Sequence, residues 1–171
     1  MQNSSSPEMV QKISAFLREN PQTMTIMVAH QFGVPELEIV RLLPDGRARE
    51  LDPARAVQLI EAFAALGPLY VIVSSGTVIL EAHGVFGGFS KTGPFFNVQT
   101  DTLDMHIRHK DLSAIFAVQK PSHMTALGTL SFQFFNPSGN SAMKVFLNFG
   151  AADPTPEQAA HFDRLVQEFK V

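Results

Sequence analysis

The 171-residue chain has no cysteine and no excess of basic charge, and each absence excludes classes of function. Without cysteine there is no disulfide, thiolate metal site, iron–sulfur cluster or cysteine nucleophile. A formal net charge of −3 argues against a general binder of phosphate backbones. No apolar run approaches the roughly 20 residues that span a bilayer, and the first residues lack the basic and apolar regions of a secretory signal. We therefore expect a cytoplasmic protein.

Motifs for catalysis or phosphate binding are also lacking. The six histidines include no pair at the helical spacing typical of zinc sites. The segment Ser74–Gly76 forms no Gly-x-Ser-x-Gly elbow, and the glycines of Gly84–Gly93 follow no phosphate-binding pattern. Because these glycines interrupt the strand pattern, we expect a loop there. The sequence predicts a protein without enzyme activity.

Changes in hydrophobic period along the chain predict an α+β fold. Residues 1–67 space their apolar side chains by three or four and are predicted to be helical, with a loop at Pro44–Asp52. Residues 68–150 alternate between apolar and polar and contain turn signals, which predicts an antiparallel meander in two packed sheets. A capping-box pattern at Thr155 predicts a packing helix over residues 155–170. We interpret residues 1–171 as a single domain.

Some of the predicted strands carry apolar residues on both faces. By alternation, Phe146 lies opposite Val145 and Leu147, and Phe135 lies opposite Phe134. An apolar second face needs a cover, which can be a helix, another subunit or a flat apolar ligand.

The segment from Phe132 to Leu147 contains two such strands around the turn Asn136–Asn140. It resembles the hairpin of the ChuX/HutX family of cytosolic haem-utilisation proteins, whose pattern is roughly Phe-Phe-Asn-x-x-Gly-x-Ala-Met-x-Lys-Ile-Phe-Leu. Shorter matches extend the resemblance over most of the chain: Val34–Pro44, Thr77–Glu81, Phe96–Val98, His106–Ile107 and the C-terminal helix.

The resemblance implies a fold like one half of the larger two-repeat haem-degradation proteins. It further implies a homodimer that binds and carries haem in the cytosol, as part of iron acquisition from haem, without catalysis. Expected partners are haem, a second copy and a haem-degrading enzyme as acceptor, with no nucleic acid and no membrane. The alternative is a dimeric module of the same fold that binds another apolar ligand or a partner protein.

The resemblance also indicates which residues bind haem. His106 corresponds to the histidine of the family's His-Ile strand motif, whereas Ser74 stands at the position of a second family histidine and Phe95 at that of a tyrosine. His83 is a further candidate ligand. The full set is His106 as metal ligand, together with Arg108, Phe95, Phe96, Phe146 and His83.

Two interpretations of the strand around His106 remain open. Alternation places Asp104, His106 and Arg108 on one face, away from Met105 and Ile107. This face is either solvated, as one side of an antiparallel sheet commonly is, or it lines a cleft. In a cleft, His106 could ligate haem iron and Arg108 could pair with a propionate.

A less favoured alternative is a helix-turn-helix regulator. The segment from Ala29 places Gly33 at a bend before a second helix, as in a DNA-binding unit. That helix carries Glu36 and Glu38 with Arg41 as its only cation, which would repel phosphates.

Overall fold

A computed structural model describes residues 5–171 and consists of helices around two antiparallel sheets. The first four residues, part of the segment in which no secretory signal is expected, lie outside the described range. The helices are α1 (Pro7–Glu19), α2 (Thr25–Phe32), α3 (Glu36–Arg41), α4 (Ala56–Ala62) and α5 (Pro156–Phe169). The strands are β1 (Ala48–Leu51), β2 (Leu69–Ser74), β3 (Ile79–Gly84), β4 (Ser90–Thr92), β5 (Phe95–Gln99), β6 (Asp104–Ile107), β7 (Ala114–Pro121), β8 (Gly128–Phe135) and β9 (Ser141–Asn148).

Local sequence signals account for the helix ends. The Ser6 side chain accepts a hydrogen bond from the amide of Met9, with Pro7 in the first helical turn. Gly33 ends α2 at a positive φ of 66°. At α5 the Thr155 and Gln158 side chains form the predicted capping box, and α5 begins and ends close to the expected residues.

The α+β class and the antiparallel sheets are confirmed, and the strand order adds detail that the sequence did not reveal. The large sheet has the order β1-β7-β8-β9-β2-β3 and the small sheet the order β4-β5-β6. The predictions of loops at Pro44–Asp52 and Gly84–Gly93 were partly wrong, because β1 and β4 lie within them. Both are short edge strands, and their extended conformation depends on pairing with β7 and β5.

The main hydrophobic core lies between one face of the large sheet and a layer made of α4, α5 and the small sheet. We call this face of the large sheet the inner face and the opposite one the outer face. Phe132 and Phe134 of β8 are fully buried on the inner face, against Phe63 and Phe162. Burial of a stripe of apolar residues on α5 follows the expected helical period: Phe162, Leu165, Val166 and Phe169.

Helix α3 covers one part of the outer face. Leu37 and Val40 pack on Phe116 and Phe135, which supplies the cover expected over Phe135. The turn of the β8–β9 hairpin contacts the first turn of this helix, since the carbonyl of Gly139 accepts a hydrogen bond from the Leu37 amide at 2.9 Å. Gly139 has a φ of 77°, and a Cβ there would lie 2.8 Å from Pro35, so only glycine fits.

This packing bears on the helix-turn-helix alternative. Four of the six residues of α3 are buried against the sheet and α2, among them Glu36, Leu37 and Val40. A recognition helix must present its side chains to the major groove. Helix α3 would have to leave the sheet to do so, so the structure does not favour DNA binding. None of the helices in residues 5–171 combines the length and the hydropathy that crossing a membrane requires.

Candidate functional site

The first candidate surface is the outward side of the small sheet, which we call the His106 face; it comprises Phe95, Asn97, Asp104, His106 and Arg108. His106 of β6 lies directly opposite Asn97 of β5 in the strand register. Its side chain is 56% exposed, so the alternation expected from the sequence is observed. Met105 and Ile107 pack towards the core from the same strand.

A hydrogen-bond network fixes the imidazole of His106. Nδ1 lies 2.8 Å from Oδ1 of Asn97, whose amide nitrogen donates to Ser90 Oγ at 3.0 Å and to Thr92 Oγ1 at 3.1 Å. With the amide nitrogen directed at the two hydroxyls, the carbonyl oxygen of Asn97 faces the ring and accepts a hydrogen bond from the tautomer that carries its proton on Nδ1. In the neutral ring Nε2 is then left with a free lone pair, which is the arrangement that metal-ligating histidines show.

Asp104 lies beside the free nitrogen of His106. Its carboxylate is 3.6 Å from Nε2, beyond hydrogen-bonding distance, so it leaves the lone pair available. A negative charge at this position favours a cation bound to Nε2.

The other predicted residues of this region differ in their availability. The ring of Phe95 meets His106 edge-on, with centroids 6.3 Å apart. Arg108 is 63% exposed and pairs with Asp111 at 2.9 Å, a contact that a propionate could replace. Phe96 is 1% exposed and stacks on Phe89 in the core, so it supports the His106 face from beneath.

A second candidate surface is a cavity of about 510 Å³ on the outer face of the large sheet, which we call the outer-sheet pocket. Its size is that of pockets for drug-sized ligands. Apolar side chains line one part: Ile26, Ile72, Ile79, Phe146 and Phe149. Polar side chains line the other part: Glu36, Lys120, Ser131, Gln133 and Lys144.

A buried ion pair borders the polar part of the outer-sheet pocket. Nζ of Lys144 lies 2.5 Å from Oε1 of Glu36, which also accepts a hydrogen bond from the Thr25 hydroxyl. The Glu36 side chain is 1% exposed and that of Lys144 is 15% exposed, so solvent screens the pair only weakly. This pair joins α3 to β9 and holds the helices over the sheet.

The pKa of Lys120 clearly departs from its ordinary value. Burial lowers the pKa of its ammonium from 10.5 to about 8, and the nearby charges of Lys144 and Arg47 act in the same direction. The ammonium donates to the backbone carbonyls of Pro121 at 2.7 Å and of Gln22 at 3.3 Å. Lys120 thus places a partly desolvated cation in the wall of the pocket.

His83 and Phe146 belong to this outer face. Tyr70 stacks on His83 with centroids 4.2 Å apart and on Phe149 at 5.1 Å, and Phe149 packs edge-on against Phe146. Ser74, which stands where the family has a histidine, lines the pocket.

The predicted site residues therefore fall on two surfaces. His106, Arg108 and Phe95 lie on the His106 face, whereas Phe146 and His83 lie on the outer face of the large sheet. The hydrophobic core separates the two surfaces, so within one chain they do not form a single site.

Sequence reasoning missed the polar lining of the pocket. Lys120, Gln133 and Lys144 were each visible as polar residues within apolar strands, at positions that alternate with the core. His30 and His123 also line the cavity. Their proximity depends on how α2 packs over the sheet, which no local pattern reports.

Comparison with known proteins gives a consistent result. A sequence model of the family described as haem utilisation ChuX/HutX matches residues 49–165. The intracellular heme transport protein HutX of Vibrio cholerae is 26% identical over 165 residues, which cover 94% of this chain and 83% of that protein.

Solved structures share the fold. The heme-binding protein ChuX matches with a TM-score of 0.79 at 24% identity, over 91% of this chain and 97% of ChuX. The heme-degrading enzyme ChuS of Escherichia coli O157:H7 matches with a TM-score of 0.77 at 18% identity, over 96% of this chain and 47% of the enzyme. This chain therefore has the fold of one half of a two-repeat protein, as the sequence predicted.

Proposed function

The chain belongs to the ChuX/HutX haem-utilisation family, and we propose that it binds haem and transports it as cargo without transforming it. The description of HutX as an intracellular transport protein and that of ChuX as heme-binding support this proposal. They also support a location in the cytoplasm and a role in acquiring iron from haem. A haem-degrading enzyme, of the kind that shares this fold, is the acceptor that we propose.

His106 is the iron ligand in this proposal. The observation that carries it is the hydrogen bond between Nδ1 and the buried Asn97, because in the neutral ring with its proton on Nδ1 the lone pair of Nε2 is available to the iron. Haem iron is commonly held by such a neutral imidazole. Phe95 supplies an aromatic edge beside the ring of His106, and Arg108 a cation for a propionate.

We propose that Phe146 and His83 contribute to the haem site through a homodimer. Since they lie on the outer face, they contact the haem held by His106 only if a second copy supplies them. The apolar residues Val78, Ile79 and Leu80 beside and on edge strand β3 are each more than half exposed, and such an edge favours association. Light scattering tests this proposal, because a monomer at micromolar concentration would contradict it.

Titration of the protein with haemin tests the function. The expected result is a saturable Soret shift in the wild type that His106→Ala weakens at least tenfold. His161→Ala, on α5, is the matched control and should bind like the wild type, while His83→Ala tests the other predicted ligand. A wild type without specific haemin binding would overturn the function, and an unaffected His106→Ala variant would overturn the assignment of the ligand.

The absence of catalysis is tested separately. The haemin complex is incubated with a reductant and oxygen, and the pigment is followed by absorbance and chromatography. Retention of intact haem is expected. Formation of a ring-opened product at a rate above that of haemin with serum albumin would contradict a carrier role.

A further inference from the structure

The His106 face holds one carboxylate beside the free nitrogen of its histidine. Asp104 and His106 are two positions apart on β6, so their side chains lie on the same side of the small sheet. Oδ1 of Asp104 lies 3.6 Å from Nε2 of His106, whereas Asn97 contacts the other ring nitrogen, Nδ1. A metal bound to Nε2 would therefore have a carboxylate as its neighbour.

The charge of this carboxylate is not neutralised by a neighbouring cation. Within residues 5–171, the ion pairs of Asp104 include neither a lysine nor an arginine. Arg108 of the same face pairs with Asp111 at 2.9 Å, and alternation along β4 places Lys91 on the opposite side of the sheet. Asp104 therefore contributes a net negative charge next to Nε2.

A fixed negative charge discriminates between metal centres that differ in charge. The centre of ferric haem carries one positive charge more than that of ferrous haem, while the ring and the propionates are the same. The attraction to Asp104 is thus stronger for the ferric form. Since the side chains of Asp104 and His106 are 67% and 56% exposed, solvent screens this attraction, and we expect a factor of about ten in the ratio of the two affinities.

We propose that Asp104 makes the His106 face selective for ferric over ferrous haem. In this role Asp104 does not ligate the iron but sets the charge beside the ligand, as outer-shell groups of metal sites do. The inference rests on the proposed function, since it requires haem iron bound to His106. It also gives a physical reason for transport without transformation, because oxygen binds to ferrous and not to ferric haem.

The reduction potential of bound haem measures this selectivity directly, because it reports the ratio of the ferric to the ferrous affinity. Asp104→Asn removes the charge but keeps the shape of the side chain and the oxygen that accepts from the amide of Gln99 at 3.5 Å. In a spectroelectrochemical titration the potential of this variant should exceed that of the wild type by about 59 mV, which is the tenfold ratio for one electron. Asp104→Glu should retain most of the wild-type value, and Asp101→Asn, in the turn before β6, should leave it unchanged.

Porphyrins with metals that are not reduced provide a second readout. Gallium(III) and zinc(II) protoporphyrin IX share the ring and the propionates and differ by one charge at the metal, as ferric and ferrous haem do. The binding of each compound is followed by porphyrin fluorescence. Asp104→Asn should weaken the binding of the gallium compound about tenfold more than that of the zinc compound, a difference that a purely structural effect of the substitution would not produce.

The selectivity and the proposed function can fail separately. If His106→Ala weakens haemin binding while Asp104→Asn leaves the reduction potential unchanged, or lowers the gallium and zinc affinities equally, the selectivity is overturned and the function stands. If His106→Ala binds haemin like the wild type, the assignment of the ligand is wrong and the selectivity falls with it. An equal rise of the potential in Asp101→Asn would show that surface charge in general is responsible, and would also overturn the role of Asp104.

Discussion

Replacing Asn97 by leucine would test whether the orientation of His106 is built into the fold. The side chain of Asn97 is 2% exposed and takes part in hydrogen bonds with Ser90, Thr92 and His106. Three hydrogen bonds at about 1 kcal/mol each give an upper value of about 3 kcal/mol. The three partners are exposed or partly exposed and can bond to water, and leucine adds apolar contact, so we expect a loss of about 1–2 kcal/mol in the free energy of unfolding.

The effect on haemin binding should be larger than the effect on stability. Without the Asn97 acceptor, the proton of His106 is free to occupy either nitrogen and the ring is free to rotate. Loss of a partner that orients a metal ligand typically costs 10–100-fold in affinity. Haemin titration and urea unfolding of the same preparation measure both effects, and ¹⁵N NMR of the unliganded protein reports which nitrogen carries the proton.

Ser90→Ala is the matched control for this substitution. It removes one partner of the Asn97 amide but leaves Thr92 and the acceptor oxygen in place, so haemin affinity should change less than threefold. If Asn97→Leu folds and binds haemin like the wild type while His106→Ala does not, the network does not prepare the ligand and the reasoning is wrong.

Three further substitutions test the outer-sheet pocket and the fold. Burial lowers the pKa of Lys120 to about 8, so between pH 8 and 10.5 the folded protein holds fewer protons than the unfolded one, and the free energy of unfolding rises with pH there. Lys120→Met should remove that rise and increase the free energy of unfolding at pH 7 by at most about 3 kcal/mol. Urea unfolding at pH 7 and pH 9.5 measures both effects. Glu36→Ala leaves the Lys144 ammonium buried without its partner and should cost about 3 kcal/mol, and a loss below 1 kcal/mol by urea unfolding would contradict this account of the ion pair. Thr155→Ala removes the capping box of α5 and should cost about 1 kcal/mol, seen as a lower Tm, whereas Thr125→Ala would not affect that helix.

The ChuX/HutX hairpin shows which properties of the protein a sequence signature indicates. Its turn, Asn136–Asn140, was identified from the sequence, and in the structure Gly139 adopts a positive φ against Pro35. Its role is to hold the start of α3 against the sheet, and it lies apart from the His106 face. The signature therefore indicates the family and the fold, while the proposed ligand lies elsewhere.

Local patterns were sufficient for some features because the physics behind them is local. The caps at Ser6 and Thr155, the bend at Gly33 and the alternation around His106 each depend on residues within one or two turns or strand positions. The same holds for the α+β class, since hydrophobic period follows from the geometry of single elements. Edge strand β1 was missed because its four residues are extended only where β7 pairs with them.

What the tertiary structure decided is which side chains share a surface. The sequence placed His106, Phe146 and His83 in one candidate set, and the packing of two sheets around the core put them on opposite sides. The same packing brought Lys120 of β7, Lys144 of β9 and Glu36 of α3 together at one pocket. Such contacts join residues up to about a hundred positions apart, and their strength depends on the low dielectric constant of the folded interior, so no local pattern contains them.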